Sequence, residues 1–228
     1  HFIATVPLES EGDNTLTATA TDLVGLSGQS SITVRRDTTE PEVSIVSPVD
    51  DYLTGDNSIE VSVDVADAST VSVDVNGVAA SFDGSHFIAT VPLESEGDNT
   101  LTARATDLVG LSGQSSITVR RDTEHPIISN VLPEDGTVTN KHAIDVEGKV
   151  TDANLETLTV EGNTVAMVGD MFHLSDVPLN IEGENKIDIV AVDKVGLQTA
   201  YSFILTRDTI PPQAEITFPA NGSYISAS

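Results

Sequence analysis

Apolar and polar residues alternate with a period of two along most of this chain, and Val and Ile dominate the apolar positions. The clearest run, SIEVSVDVA at 58–66, puts Ile59, Val61, Val63 and Val65 on one face of a strand. The same alternation predicts strands over 42–47, 70–75, 78–82, 86–93, 99–106 and 115–121, and Asn76-Gly77 supplies a two-residue hairpin turn. Leu101, Ala103 and Ala105 face inward on one of these strands, and Ile117 and Val119 on the last. A second set of inward positions follows at Ile144, Val146, Val150, Ile187, Ile189, Ala191, Phe203 and Leu205. No segment carries helical periodicity. Seven short strands in about 85 residues predict an all-β Greek-key sandwich.

The pattern repeats as a unit. Residues 1–38 recur at 86–123 with one change, Arg104 standing where Thr19 stands, and a diverged third copy runs from Met171 to the Arg207-Asp208-Thr209 exit. The Asp of the Arg-Asp-Thr marker falls at Asp37, Asp122 and Asp208, giving spacings of 122 − 37 = 85 and 208 − 122 = 86 residues. That period is too long for a solenoid and suits a whole small domain. Each marker is followed by proline (Pro41, Pro126, Pro211-Pro212), so the joints read as short and semi-rigid. The expected divisions are 1–40, the last half of a repeat; 41–125 and 126–211, two complete domains; and 212–228, the first strand of a further repeat. The partial ends lack the strands that would cover them.

Charge narrows the partners. Ten Lys and Arg stand against 36 Asp and Glu, a formal net charge of −26. Nucleic acid and anionic membrane surfaces are poor partners for such a chain, and no apolar run is long enough for membrane insertion. Cations are good ones. With no Cys there are no disulfides and no thiolate metal sites.

The motifs Val75-Asn76-Gly77, Val91-Pro92-Leu93, Gly97-Asp98-Asn99, Ala105-Thr106-Asp107-Leu108-Val109-Gly110, Pro133-Glu134-Asp135-Gly136 and the Arg-Asp-Thr exit resemble tandem bacterial immunoglobulin-like domains. The likeness is to the glucodextranase B-domain type and to the repeats of bacterial surface adhesins. It covers essentially the whole chain and implies tandem immunoglobulin-like sandwiches in an elongated array. Where that family has Asn after the last Gly of the loop, this chain has Leu26, Leu111 and Leu197.

In such a sandwich, with strands B at 58–66, F at 99–106 and G at 115–121, the loops after strands B and F share the pole that meets the incoming linker. Asp67, Asp107 and linker Asp37 then converge at one joint, and Asp152, Asp193 and Asp122 at the next. The opposite pole carries Asp50, Asp51, Glu94, Glu96 and Asp98, with Asp208 at the last exit. Calcium, which takes 6–8 oxygen ligands, is the expected cofactor at these positions. The topology is similar to cadherin junctions, which implies a stiffening role for the ion. The competing reading is structural: Asp107 caps the F–G turn through its side chain, and the linker Asp pairs with neighbouring Arg36 or Arg121.

Catalytic constellations are absent from the sequence. The histidines His1, His86, His125, His142 and His173 make no metal-ligand spacing, and Leu26-Ser27-Gly28-Gln29-Ser30 lacks the nucleophile-elbow pattern. Three Tyr and no Trp disfavour a stacking platform for sugars. The expectation is a non-enzymatic stalk or adhesive segment of a large secreted or cell-surface protein. Its partners would be neighbouring repeats, other copies of itself, or a surface or matrix ligand. The alternatives are an accessory spacer array of a secreted polysaccharide-active enzyme, and a filament subunit whose partial ends are completed by neighbouring chains.

Overall fold

A computed structural model describes residues 1–228 except 70, 71, 219, 225, 227 and 228. Two compact units emerge, His1–Thr123 and Glu124–Ser228. The described residues form strands and turns and no helix.

Unit 1 begins with a hairpin of β1 (Gly12–Thr21) and β2 (Ser27–Arg36). A complete sandwich follows: β3 (Glu42–Ser47), β4 (Tyr52–Thr54), β5 (Ser58–Ala66), β6 (Ser72–Val75), β7 (Val78–Ala79), β8 (Ser81–Phe82), β9 (Phe87–Pro92), β10 (Gly97–Thr106) and β11 (Ser112–Arg121). One sheet has the order β3-β5-β9-β8 and the other β4-β11-β10-β6-β7. The strand expected at 70–75 begins at Ser72 among the described residues; positions 70 and 71 lie outside them. The strand expected at 42–47 is β3, which pairs with β5; the chain then turns at the cis Ser47–Pro48 bond, and a short strand the alternation does not show, β4, joins the other sheet parallel to β11.

Unit 2 repeats this wiring with β12 (Ile127–Leu132), β13 (Val138–Thr139), β14 (Ala143–Thr151), β15 (Leu155–Val160), β16 (Asn163–Thr164), β17 (Met167–Val168), β18 (Met171–Pro178), β19 (Gly183–Asp193) and β20 (Gln198–Arg207). Its sheets run β12-β14-β18-β17 and β13-β20-β19-β15-β16. The 86-residue spacing of this repeat has a visible origin. On β18 three steps from Leu174 to Val177 oppose two steps from Val146 to Ile144 on β14, so one extra residue bulges out. Asp176 sits there with φ 57° and its amide donates to Asp145 Oδ1.

The buried core of the first sandwich is aliphatic, and that of the second adds Phe172 and Phe203. Val61, Val63, Val73, Val75, Ala89, Val91, Leu93, Leu101, Ala103, Ala105 and Val119 are buried in the first sandwich, with Ile59, Val65 and Ile117 half-buried against them. All eight positions expected to face inward in the second are buried. Alternation alone fixed these faces, because successive side chains of a strand point to opposite sides. One exchange of volume stands out. Gly148 takes the place that Val63 holds, and Phe172, two per cent exposed, fills the space: a Cβ at Gly148 would lie 2.7 Å from its ring.

The partial repeats differ from the complete ones. Residues 2–7 read FIATVP, identical to β9, yet carry no strand. β9 takes its ladder from β5 and β8, and no counterpart of either precedes residue 2 in this sequence. The strand expected at the start of 212–228 is likewise absent among the described residues of that segment, and Pro219 lies outside them.

A carboxylate cluster at the joint between linker and sandwich

The joint at residues 37–41 is built from three loops of unit 1. Where β10 ends, Asp107 closes the turn to β11. Its backbone amide donates to the Leu111 carbonyl at 3.0 Å. Its Oδ1 accepts from the amides of Val109 (2.9 Å) and Leu111 (2.8 Å). Asp22 and Asp193 make the same pair of bonds in the other repeats. This explains why Leu at 26, 111 and 197 can stand where the family has Asn: only its backbone is used. After β5, Asp67 Oδ1 accepts from the Ser69 amide (2.7 Å) and hydroxyl (2.9 Å). On the linker, Asp37 Oδ1 accepts from the Thr39 amide at 3.3 Å.

Each of the three carboxylates therefore spends one oxygen on its own loop. The three remaining Oδ2 atoms are buried and have no hydrogen-bond partner. One ligand atom from each of Asp37, Asp67 and Asp107 lies within 4.8 Å of the others. The neighbouring arginines are committed elsewhere. Arg36 pairs with Glu11 at 3.4 Å and Arg35 donates to the Ala68 carbonyl at 2.9 Å. Arg36 thus does not neutralise Asp37, and no cationic side chain among the described residues pairs with any of the three. Oxygens on opposite sides of one Ca²⁺ lie about 5 Å apart, so this spacing suits a shared ion.

The linker is seated at its other end by shape. Pro41 is buried, and its carbonyl oxygen lies where a Cβ on Gly113 would stand, 1.9 Å from the ideal Cβ position. Strand β11 thus needs a residue without a side chain at this point.

The remaining candidate residues are distributed differently. Asp193 is fully buried with Oδ2 unpartnered, and Asp152 Oδ1 accepts from the Asn154 amide at 2.7 Å. Asp122 is buried, and its amide donates to the Thr54 carbonyl at 2.9 Å. Asp208 does the same toward Thr139 at 2.9 Å. At the opposite pole of the first sandwich, Asp50 Oδ1 accepts from the Thr118 amide at 2.8 Å, fastening the turn before β4. Asp51 occupies the left-handed region at φ 61° and donates its amide to the Thr118 carbonyl. Asp98 pairs with Arg120 at 2.9 Å, and Glu94 is exposed. Glu96 has a third role: its carboxylate accepts from the Thr123 amide (2.9 Å) and hydroxyl (2.7 Å). The carboxylates of Asp50, Asp98 and Glu96 are thus each engaged within their own domain.

The Glu96–Thr123 clamp recurs as Glu11–Thr38 and Glu182–Thr209. It went unread in the sequence, although a Glu-Gly pair precedes each Arg-Asp-Thr at fixed distance. Thr38 hydrogen bonds hold the Glu11 carboxyl below the ordinary carboxylate range, and the Thr209 amide does the same for Glu182, with its hydroxyl and Arg207 adding to it. A carboxyl depressed in the folded state contributes stability above its unfolded pKa, and that contribution is lost as pH falls through the folded value. Unit 2 should accordingly lose stability on acidification through and below the usual carboxylate range. Glu182→Gln should flatten that part of a melting-temperature profile against pH; an unaltered profile would show that the clamp is not what titrates.

His173 stands between Glu147 (3.6 Å) and the Ser175 hydroxyl (3.1 Å), an order of groups that superficially suggests a nucleophile relay. All three residues are exposed on the outer face of the sheet, paired across β14 and β18. An open face does not exclude water or preorganise an oxyanion site, so the trio is a cross-strand surface contact.

The chain resembles known proteins in both sequence and fold. Bacillopeptidase F of Bacillus subtilis (strain 168) is 33% identical over 189 residues, which is 80% of this chain and 13% of that protein. This chain therefore corresponds to a small part of that relative. Among solved structures, the fibronectin(III)-like modules of Clostridium thermocellum CbhA align over 77% of this chain and 99% of theirs, at 17% identity and a TM-score of 0.40. A protocadherin GammaB4 extracellular domain aligns over 86% of this chain and 38% of its own, at 15% identity and a TM-score of 0.38. The profile of the family described as glucodextranase, domain B, matches twice, at residues 41–123 and 126–208, and this chain belongs to that family as a tandem of immunoglobulin-like sandwiches.

Proposed function

We propose that this chain is a non-catalytic spacer: a stalk segment of a large secreted or cell-surface bacterial protein, with calcium held at the joint between successive repeats. The observation that carries this reading is the joint itself. Asp37, Asp67 and Asp107 bring one carboxylate oxygen each within 4.8 Å of the others, and each has a buried Oδ2 with no hydrogen-bond partner, in a chain whose net charge is −26. Left alone, three like charges repel; a divalent cation converts the repulsion into a cross-link. The sequence repeats the same positions as Asp122, Asp152 and Asp193. An adhesive role would lie with a surface or matrix ligand, or with other copies of the chain.

A second reading has its own support. The relative named Bacillopeptidase F carries a matching stretch, which favours an accessory spacer array within a secreted enzyme. The sequence flanking these repeats separates the two. Further repeats support the stalk, and an adjoining catalytic domain supports the accessory array.

Calcium is tested by melting. Calcium at about a hundredfold excess over its dissociation constant should stabilise the folded chain by about 2.7 kcal/mol. A scanning-calorimetry transition should rise by several degrees in CaCl₂ and return in chelator. Coincident transitions in the two buffers would remove calcium from the proposal.

A further inference from the structure

We infer that Asn76–Gly77 is a fold-gated modification site: the first sandwich blocks spontaneous deamidation of Asn76, and opening of that sandwich releases the reaction and leaves a permanent chemical mark. None of the residues assigned to calcium takes part.

The sequence contains two Asn-Gly pairs, at 76–77 and 221–222. A glycine after asparagine leaves the following amide nitrogen unshielded by any Cβ, which is what deamidation needs. That nitrogen gives its proton to solvent and attacks the asparagine Cγ; the Cγ–Nδ2 bond breaks and ammonia leaves. Water then opens the five-membered imide at one carbonyl or the other, giving Asp or isoaspartate. Water is the only co-reactant.

The fold holds the two reacting groups apart. Asn76 and Gly77 form the two-residue turn between β6 and β7, with φ of 48° and 80°. The Asn76 side chain reaches to β10. Its Nδ2 donates to the Thr100 carbonyl at 2.9 Å, and its Oδ1 accepts from the Thr102 amide at 2.8 Å. The Asn76 backbone amide donates to the Thr102 carbonyl at 3.0 Å. The nucleophile is held as well, because the Gly77 amide donates to Asp74 Oδ1 at 2.9 Å. Asn76 is exposed, so water reaches it; its bonds, and not burial, protect it. For Cγ to meet the Gly77 nitrogen, both side-chain bonds and the Asp74 bond must break together. The hairpin must then leave β10, which uncovers Val73 and Val75, four and zero per cent exposed. Reaction at Asn76 is thereby tied to opening of the core.

Two other turns in the chain serve as comparisons. In unit 2 the same turn is Glu161-Gly162, with φ of 50° and 76°, and Glu161 Oε1 accepts from the Asp188 amide at 2.6 Å. That turn docks on its neighbouring strand with no amide to lose. Asn221-Gly222 lies on an exposed turn, and its asparagine side chain makes no hydrogen bond among the described residues. At Asn76 the products cannot restore the original pairing. Asp has no donor for the Thr100 carbonyl and sets a carboxylate against it, and isoaspartate lengthens the backbone of a two-residue turn.

Deamidation of the whole chain at mildly alkaline pH, followed by peptide mass spectrometry with Asn221 as internal reference, tests the gate. In the folded chain Asn76 should convert at least about tenfold more slowly than Asn221. In urea beyond the unfolding transition the two rates should converge, and through the transition the Asn76 rate should follow the open fraction of the first sandwich. Val61→Ala, which removes buried methyl groups and leaves the turn untouched, should speed Asn76 and not Asn221. Equal rates at the two asparagines in the folded chain, or an Asn76 rate indifferent to Val61→Ala, overturn the gate.

Discussion

Gly113→Val is expected to be among the most damaging single changes in the first sandwich, lowering its stability by about 3 kcal/mol in denaturant titration. The ideal Cβ at this position lies 1.9 Å from the Pro41 carbonyl oxygen and 3.1 Å from its carbonyl carbon. Both are backbone atoms of a buried residue, so no side-chain rotation relieves the overlap. Either Pro41 lifts from β11, taking the start of β3 with it, or the β10–β11 hairpin shifts. The chain contains its own control. Gly28 occupies the same position in the near-identical copy, and nothing lies within 4 Å of a Cβ placed there. Gly28→Val should change stability by only a few tenths of a kcal/mol. Equal losses from the two substitutions would mean that strand propensity, rather than the linker seat, governs this position.

Substitutions at Asp107 should separate the turn bonds its carboxyl makes from the cation binding proposed for it. Asp107→Ala removes the acceptor for two backbone amides of the F–G turn and is expected to cost about 3 kcal/mol in chelator, and more in CaCl₂, where the calcium gain is lost as well. Asp107→Asn keeps the Oδ1 acceptor and discharges the cluster. In chelator it should be at least as stable as the unaltered chain; in CaCl₂ it should fail to gain what the unaltered chain gains. If Asn and Ala were equally harmful in both buffers, the turn alone would account for this residue. The structural and cation-binding readings of Asp107 are thus not rivals, because they concern different oxygens of one group.

Much of this was legible in the letters of the chain, for a physical reason. A strand buries every second residue, so alternation identified Val61, Val63, Leu101 and Ala103 as core without any knowledge of their partners. The joint was legible because topology puts the loops after β5 and β10 at the pole that the linker reaches, so Asp37, Asp67 and Asp107 could be grouped before any distance was known. Parallel pairing of β4 with β11 was not legible: three residues are too few to show a period, and the pairing is long-range. Nor were the individual fates of Glu96, Asp98 and Asp50. At the sequence level each is one acid among many, and only geometry tells a clamp for Thr123 or an ion pair with Arg120 from a free ligand. The hexapeptide FIATVP makes the same point in reverse. It forms a strand as β9 and none at residues 2–7, so its conformation is supplied by its neighbours and not by its own preference.

The parallel pairing of β4 with β11 also bears on how a repeat carries load. β4 lies near the entry of the first sandwich and β11 is its exit, and the two run side by side in register from Val119↔Tyr52 to Arg121↔Thr54, with the Asp122 amide bonded to Thr54 just beyond. Tension applied through the two ends of the repeat pulls these strands in opposite directions along their length. The ladder is then loaded in shear, with its hydrogen bonds strained together instead of opening one after another like a zipper. A tether assembled from such repeats resists pulling through a patch only a few residues long, positioned where the force enters and leaves.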